Sequence, residues 1–182
     1  MRSQRTITLD GQATPPFQSF LEDHRTVVYR FLLASVGPTE ADDCFQETFL
    51  AALRAYPKLR DGNNLRSWVL TIATRKAIDA GRARARRPVA VAGAGSDSGG
   101  RAGLDISGPT SDERLAPDAD EPLWRAVRGL PPKQRAAVVH RFVLDRAYRD
   151  VALVMGTTEE AARANVAQGL KRLRRELDDA DE

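Results

Sequence analysis

The sequence predicts an all-α protein: two small helical domains, a helical bundle and a helix-turn-helix unit, joined by a flexible linker. Three observations predict this. Apolar residues recur at i, i+3/i+4 spacing through 17–87 and again through 122–182. Between those blocks, residues 88–121 turn to Gly, Ser, Asp and Pro with no large aromatic residue, too little apolar surface to offset the entropy of ordering. No stretch reads convincingly as a strand. Residues 1–16 carry no periodicity, end in Pro15-Pro16, and are expected to form a flexible tail.

The first block divides into three predicted helices. Phe17, Phe20, Leu21, Val28, Phe31 and Leu32 lie at helical spacing, and Gly37-Pro38 stops that helix. Thr39 is expected to cap the second, whose stripe is Cys44, Phe45, Thr48, Phe49, Ala52, Leu53 and Tyr56. Pro57 and Asp61-Gly62-Asn63-Asn64 make a loop. The third begins near Leu65, carries Trp68, Val69, Ile72 and Ile78, and runs into Arg82, Arg84, Arg86 and Arg87.

In the second block, Leu123, Trp124, Val127 and Leu130 form a helix stopped by Pro131-Pro132. Pro132 suits the first turn of the next, which carries Ala136, Ala137, Val139 and Phe142. A short helix with Tyr148, Val151, Ala152 and Val154 meets a turn at Gly156-Thr157. A longer helix follows from about Thr158, with the stripe Ala162, Val166, Leu170, Leu173 and Leu177.

Composition narrows the function. The net charge is +3 and the pI about 9.3, so local charge distribution carries more information than the total. A single cysteine, Cys44, permits no intrachain disulfide and sits on an apolar stripe, where a thiol packs as a small hydrophobe. The N-terminus has no apolar signal region, and no apolar run approaches the roughly 20 residues of a membrane helix. These features predict a cytoplasmic protein that does not engage membrane. No phosphate-binding, dinucleotide, nucleophile-elbow or zinc spacing is present, and His24 and His140 lie in separate blocks without partners in sequence. The expectation is a non-enzymatic protein with no catalytic residues, no metal and no cofactor.

Three constellations remain. The short helix, tight turn and longer helix over 148–177 have the layout of a helix-turn-helix, with Thr158 or Thr157 as cap and basic Lys171, Arg172, Arg174 and Arg175 near the end. A plain helical hairpin with a dipole-complementing basic end reads the same way. Asp42, Asp43, Gln46 and Glu47 share the polar face of the second helix, either as a solvated face or as a docking face. Trp68, Arg75 and Lys76 join aromatic and cationic groups on one helix, as single-stranded nucleic acid requires, although a lone Trp also serves a core.

Together these segments resemble a known family. ADDCFQETFLAALRAYPKL followed by LRSWVLTIATRKAID is similar to region 2 of the extracytoplasmic-function sigma factors, a branch of the sigma-70 family. LWRAVRGLPPKQRAAVVHRFVLDRAYRDVALVMGTTEEAARANVAQGLKRLRREL resembles their region 4. The resemblance covers 17–87 and 122–177 in the right order. It implies a polymerase specificity subunit whose partners are RNA polymerase core enzyme, through its clamp helices and flap, and promoter DNA, with an anti-sigma factor as a further candidate. By position it implies core binding by Asp42, Asp43, Gln46 and Glu47. It implies −10 contacts from Asp61, Asn63, Asn64, Trp68, Arg75 and Lys76, with Asp79 on the same helix. It implies −35 contacts from Thr158, Glu159, Arg163, Asn165, Gln168 and Lys171.

The chain departs from the family pattern at two places. Arg75 stands where the IAxN motif has Asn, and the recognition segment from Ala161 to Leu170 retains one cation, Arg163. Asn165 and Gln168 are suited to adenine edges. Weak −35 binding, with region 4 held mainly by polymerase, is the other reading. A helix-turn-helix regulator acting without polymerase accounts for 146–177 and leaves the second and third helices without a role. The seven acidic residues between Pro88 and Glu121 would also suit a basic polymerase channel.

Overall fold

A computed structural model of the chain describes the backbone of residues 8–9, 12–59, 64–86 and 122–179, with side chains from residue 14 onward in those ranges. Residues 87–121, on which the linker expectation falls, lie outside the described residues. Seven α-helices are described: α1 Phe17–Val36, α2 Pro38–Ala55, α3 Leu65–Arg86, α4 Pro122–Gly129, α5 Pro132–Val138, α6 Tyr148–Met155 and α7 Glu159–Asp178. The fold is all-α, as the periodicity implied. The one addition is a small antiparallel pair in the tail, β1 Thr8–Leu9 with β2 Gln12–Ala13. Its sequence signal is Asp10-Gly11, a hairpin-favouring dipeptide.

Helix ends follow backbone chemistry. Gly37 sits at φ +87°, and its N–H bonds the Leu33 carbonyl at 3.0 Å, closing α1. Pro38 then opens α2 at a position where a missing N–H costs nothing. Thr39 therefore lies inside the first turn rather than capping the helix as expected. Thr158 does cap α7, its hydroxyl accepting from Ala161 N–H at 3.2 Å. Gly156, at φ +62°, makes the turn between α6 and α7.

Three predicted stripes are corrected, one of them at Leu123 of α4, which is 40% exposed. Phe142 is 55% exposed, because α5 ends at Val138 and a π-turn over Val139–Val143 swings the chain outward. On α7 the inward residue is Gly169, not Leu170. A Cβ there would lie 2.7 Å from Val138 Cγ2, so only glycine admits this approach of α7 to α5.

The two helical halves pack against one another. One buried core takes Phe20, Phe31, Phe45, Phe49 and Leu70 from the first half and Leu130, Val138 and Val139 from the second. A smaller cluster of Ala137, Val151, Ala152, Ala162 and Val166 holds α5, α6 and α7 together. Polar contacts cross the seam: Arg135 Nη1 donates to Ser35 O (2.8 Å), Arg146 Nη2 to Ser67 Oγ (2.7 Å), and Thr74 Oγ1 lies 2.8 Å from His140 Nε2. Sequence periodicity marks each helix's apolar face. It does not say which helix of the other half covers it, and so the halves read as independent.

Candidate nucleic-acid interface

On α2 the apolar positions Ala41, Cys44, Phe45, Thr48, Phe49 and Ala52 are buried. Helical geometry then turns Asp42, Asp43, Gln46 and Glu47 to solvent on the other side, and all four are exposed together. Sequence reasoning missed Leu50, which is 41% exposed one turn beyond Gln46 and Glu47. An aliphatic side chain among carboxylates is what a protein-docking face shows and a purely solvated face does not need. Cys44 is buried beneath this face. Desolvation, then the Glu40, Glu47 and Asp43 carboxylates, push its thiol up to about 11, so it stays protonated and packs.

The third helix presents a second exposed stripe, Arg75, Asp79, Arg82 and Arg86, at i, i+4, i+7 and i+11. Lys76, on the edge of this stripe, bonds Glu47 of α2 at 2.9 Å. The predicted docking and nucleic-acid residues therefore share one continuous surface. Arg84, by contrast, is used internally: it pairs with Glu40 at 2.8 Å and donates to the Val36 carbonyl at the end of α1.

Besides Lys76, two residues of the predicted −10 set have structural partners. Asn64 Oδ1 accepts from Ser67 N–H at 3.2 Å and so caps α3. Trp68 is half-buried, its ring centroid 5.7 Å from Phe20 and 6.1 Å from Tyr56. One side of the indole is thus committed to an aromatic cluster that also holds Tyr56, whose hydroxyl donates to Pro15 O at 2.7 Å. Asp61 and Asn63 lie outside the described residues.

At the other end of the molecule, α6 and α7 form a tight helix-turn-helix. Thr158, Glu159 and Arg163 lie at the N-terminal end of α7, where recognition helices meet base edges. Arg163 pairs with Glu159 one turn back, and its Cζ lies over the Tyr148 ring, 4.6 Å from the centroid. Asn165 donates back to the Ala161 carbonyl at 2.7 Å, and Gln168 Oε1 accepts from Gln134 Nε2 at 3.0 Å. Gln168 and Lys171 border a cleft with Gln134, Arg172 and Arg175, on the side of α7 that faces α5. The six predicted residues are thus divided between a tip, with Thr158, Glu159 and Arg163, and a basic flank, with Gln168 and Lys171. Asn165 is tied to its own backbone.

Among the described residues, no group of three His, Cys, Asp or Glu side chains is placed to hold a metal ion. Nor is any helix there long and apolar enough to cross a membrane.

Comparison with known proteins divides the chain where its helices do. The sigma-70 region 2 family matches residues 20–87, and sigma-70 region 4 matches 120–173. The sigma factor SigD of Mycobacterium tuberculosis is 33% identical over 165 residues, covering 86% of this chain and 74% of SigD. CarQ of Myxococcus xanthus, an RNA polymerase sigma factor, is 29% identical over 171 residues, covering 91% and 90%. In three dimensions the fold is similar to RpoE of Bartonella quintana, solved with the anti-sigma factor NepR. The TM-score is 0.61 at 22% identity, over 89% of this chain and 96% of RpoE.

Proposed function

Because the chain belongs to the extracytoplasmic-function sigma factors of the sigma-70 family and directs RNA polymerase to promoters, we propose a division of labour among its three exposed faces. The acidic face of α2, from Asp42 through Glu47 with Leu50 at its edge, docks the core enzyme's clamp helices. The stripe led by Arg75 on α3, with Lys76 and the loop ending at Asn64, meets the melted −10 strand. The tip of α7, from Thr158 to Arg163, meets the duplex at the −35 element, and its basic flank lies beside DNA phosphates or the polymerase flap. The observation that carries this reading is the continuity of the α2 face with the α3 stripe through Glu47 and Lys76. A subunit that docks polymerase and grips the opened strand beside it needs those two surfaces side by side.

The same reading requires the halves to part. Elements about 25 base pairs apart are roughly 85 Å apart along B-form DNA at 3.4 Å per pair. A compact chain of 182 residues has a radius of gyration of only about 16 Å. The seam between Ser35 and Arg135 must therefore open before both elements are engaged. The sequence between Arg86 and Pro122, 35 residues at up to about 3.5 Å each, is long enough to bridge that span.

The protein acts as a non-catalytic subunit in the bacterial cytoplasm, where polymerase and chromosome meet. An anti-sigma factor that keeps the halves together is its natural antagonist. The test is run-off transcription with core enzyme and a pool of genomic fragments. Discrete transcripts that need the chain support the reading. Duplex binding without polymerase, and no stimulated transcription, would favour a polymerase-independent regulator.

A further inference from the structure

Arg163 is the one cation between Ala161 and Leu170, which leaves the reading tip of α7 short of positive charge. The fold brings a second from outside the helix. Arg141, in the π-turn after α5, places its Cζ 5.5 Å from the centroid of the same Tyr148 ring that Arg163 covers at 4.6 Å. Arg141 also lies 5.6 Å from the ring centre of exposed Phe142 and bonds Asp145 at 3.2 Å. Five side chains from three segments thus form one surface cluster: Asp145, Arg141, Tyr148, Arg163 and Glu159. Asp145 holds its place with a left-handed backbone, φ +47°, uncommon for a residue with a side chain.

A guanidinium carbon set over an aromatic face, as Arg163 Cζ is over Tyr148, has its long side chain held in one region while donors remain to be offered beyond the ring. Such a planar fork suits a bidentate contact to guanine O6 and N7. Glu159, already bonded to Arg163, is an acceptor suited to cytosine N4. Together the pair offers donor and acceptor groups matched to G·C. Arg141 is held by Asp145, whose side chain is 95% exposed, and a water-facing ion pair of this kind is weak enough to yield to a phosphate.

We propose that Tyr148 is a positioning residue for promoter reading, that it holds Arg163 toward a G·C pair of the upstream element, and that Arg141 adds a phosphate contact the recognition helix lacks. The proposal rests on the reading that the tip of α7 enters the major groove. Without the platform, Arg163 must give up side-chain freedom each time it binds, and the stack's own attraction is lost.

The experiment uses the full chain with core polymerase and a promoter recovered from the run-off selection, compared with the same fragment carrying a randomised upstream element. The readout is the ratio of open-complex affinities on the two templates. Tyr148→Phe keeps the ring and is expected to keep the wild-type ratio. Tyr148→Leu should lower the ratio about two- to fivefold, the scale of an exposed cation–π contact. Arg163→Lys keeps the charge but not the planar fork. It should lower the ratio by itself, and Tyr148→Leu should add nothing in that background. Tyr148→Gln, which removes the ring with a polar side chain, gives the same test if Tyr148→Leu does not fold. Arg141→Gln should reduce the slope of log affinity against log salt by about one.

If Arg163→Ala lowers the ratio but Tyr148→Leu does not, or if the Tyr148→Leu and Arg163→Lys losses add, the platform role is wrong while the major-groove reading stands. A loss with Tyr148→Phe assigns the effect to the hydroxyl and overturns it too. An unchanged salt slope removes Arg141 from the site. If Arg163→Ala itself leaves the ratio unchanged, the underlying reading of α7 fails.

Discussion

His140 Nε2 lies 2.8 Å from Thr74 Oγ1, joining the two halves across 66 residues of sequence. Thr74 also sits 2.6 Å from the Leu70 carbonyl, which can only accept, so its one hydroxyl proton goes there. Nε2–H of His140 must then be the donor to Thr74, and Nδ1 carries the lone pair. That nitrogen is buried without a hydrogen-bond partner. The imidazole stacks on Phe31, with centroids 4.4 Å apart and planes at 20°. One side chain from the second half is therefore held by a hydroxyl of α3 and a ring of α1. Thr74→Val keeps the shape but strands a buried N–H, at a cost of about 1–3 kcal/mol. His140→Ala removes the stack as well and should cost about 3–5 kcal/mol. Urea unfolding followed by circular dichroism measures both, and small-angle scattering should show a larger radius for His140→Ala under conditions where the helices persist. Equal midpoints for all three proteins would remove this contact from the seam.

The same burial makes closure sensitive to acid. Desolvation, reinforced by the positive charge of Arg146, lowers the His140 pKa from 6.5 to about 3. The opened or unfolded chain binds a proton below about 6.5 and the closed one does not. The contribution to stability is thus complete above pH 6.5 and is lost as pH falls from there toward 3. At pH 5 the loss is about 2 kcal/mol, from 1.5 units at 1.36 kcal/mol each. Denaturation midpoints between pH 7.5 and 5 should fall for the wild type and change less for His140→Phe, which cannot titrate. Parallel curves for the two proteins would assign the acid sensitivity to other groups.

Docking to polymerase is tested by reversing one charge. Asp43 is exposed on α2 between buried Ala41 and Cys44, so Asp43→Arg leaves the core untouched. A cation set against a basic partner surface can cost several kcal/mol of affinity. Fluorescence titration of labelled chain with core enzyme should show weakening of at least tenfold, with unchanged helicity. Leu50→Ala should weaken binding by a smaller amount. If both bind like the wild type, the docking surface lies elsewhere.

The helices themselves were largely legible because each signal is local: spacing of apolar residues, Pro at helix starts, Gly at Gly37 and Gly156. The α2 face was legible for the same reason, since i, i+3/i+4 spacing fixes which residues share a side. What escaped depends on contacts distant in sequence. Ser35 with Arg135, and Thr74 with His140, carry no periodic mark. Arg141 and Tyr148 escaped because the π-turn, not helical spacing, brings the arginine beside a ring seven residues on. Gly169 carried no sign of its inward role because its reason, Val138 on α5, lies 31 residues away.

Which half dominates promoter choice follows from what each offers to DNA. Arg75 is exposed on α3 in a stripe with Asp79, Arg82 and Arg86, beside Lys76 and about two turns along from the half-buried Trp68. At the other end, Arg163 stands alone on its segment of α7, Asn165 is bonded to its own backbone and Gln168 to Gln134. All three polar side chains suited to base edges there already hold an internal bond, Arg163 to Glu159 included. The −10 contacts should therefore outweigh the −35 contacts. With core enzyme, the chain should prefer a fork or bubble with an exposed non-template strand over closed duplex, and free chain should bind duplex promoter poorly because the bases it reads are stacked inside. Arg75→Ala is expected to reduce open-complex formation by the worth of one good contact, about 1–3 kcal/mol or roughly 5- to 150-fold. Arg163→Ala should act at the low end of that range, and only on templates that carry the upstream element. Permanganate footprinting of the melted region on matched templates separates the two. Open complexes abolished by Arg163→Ala and untouched by Arg75→Ala would reverse the order of the halves.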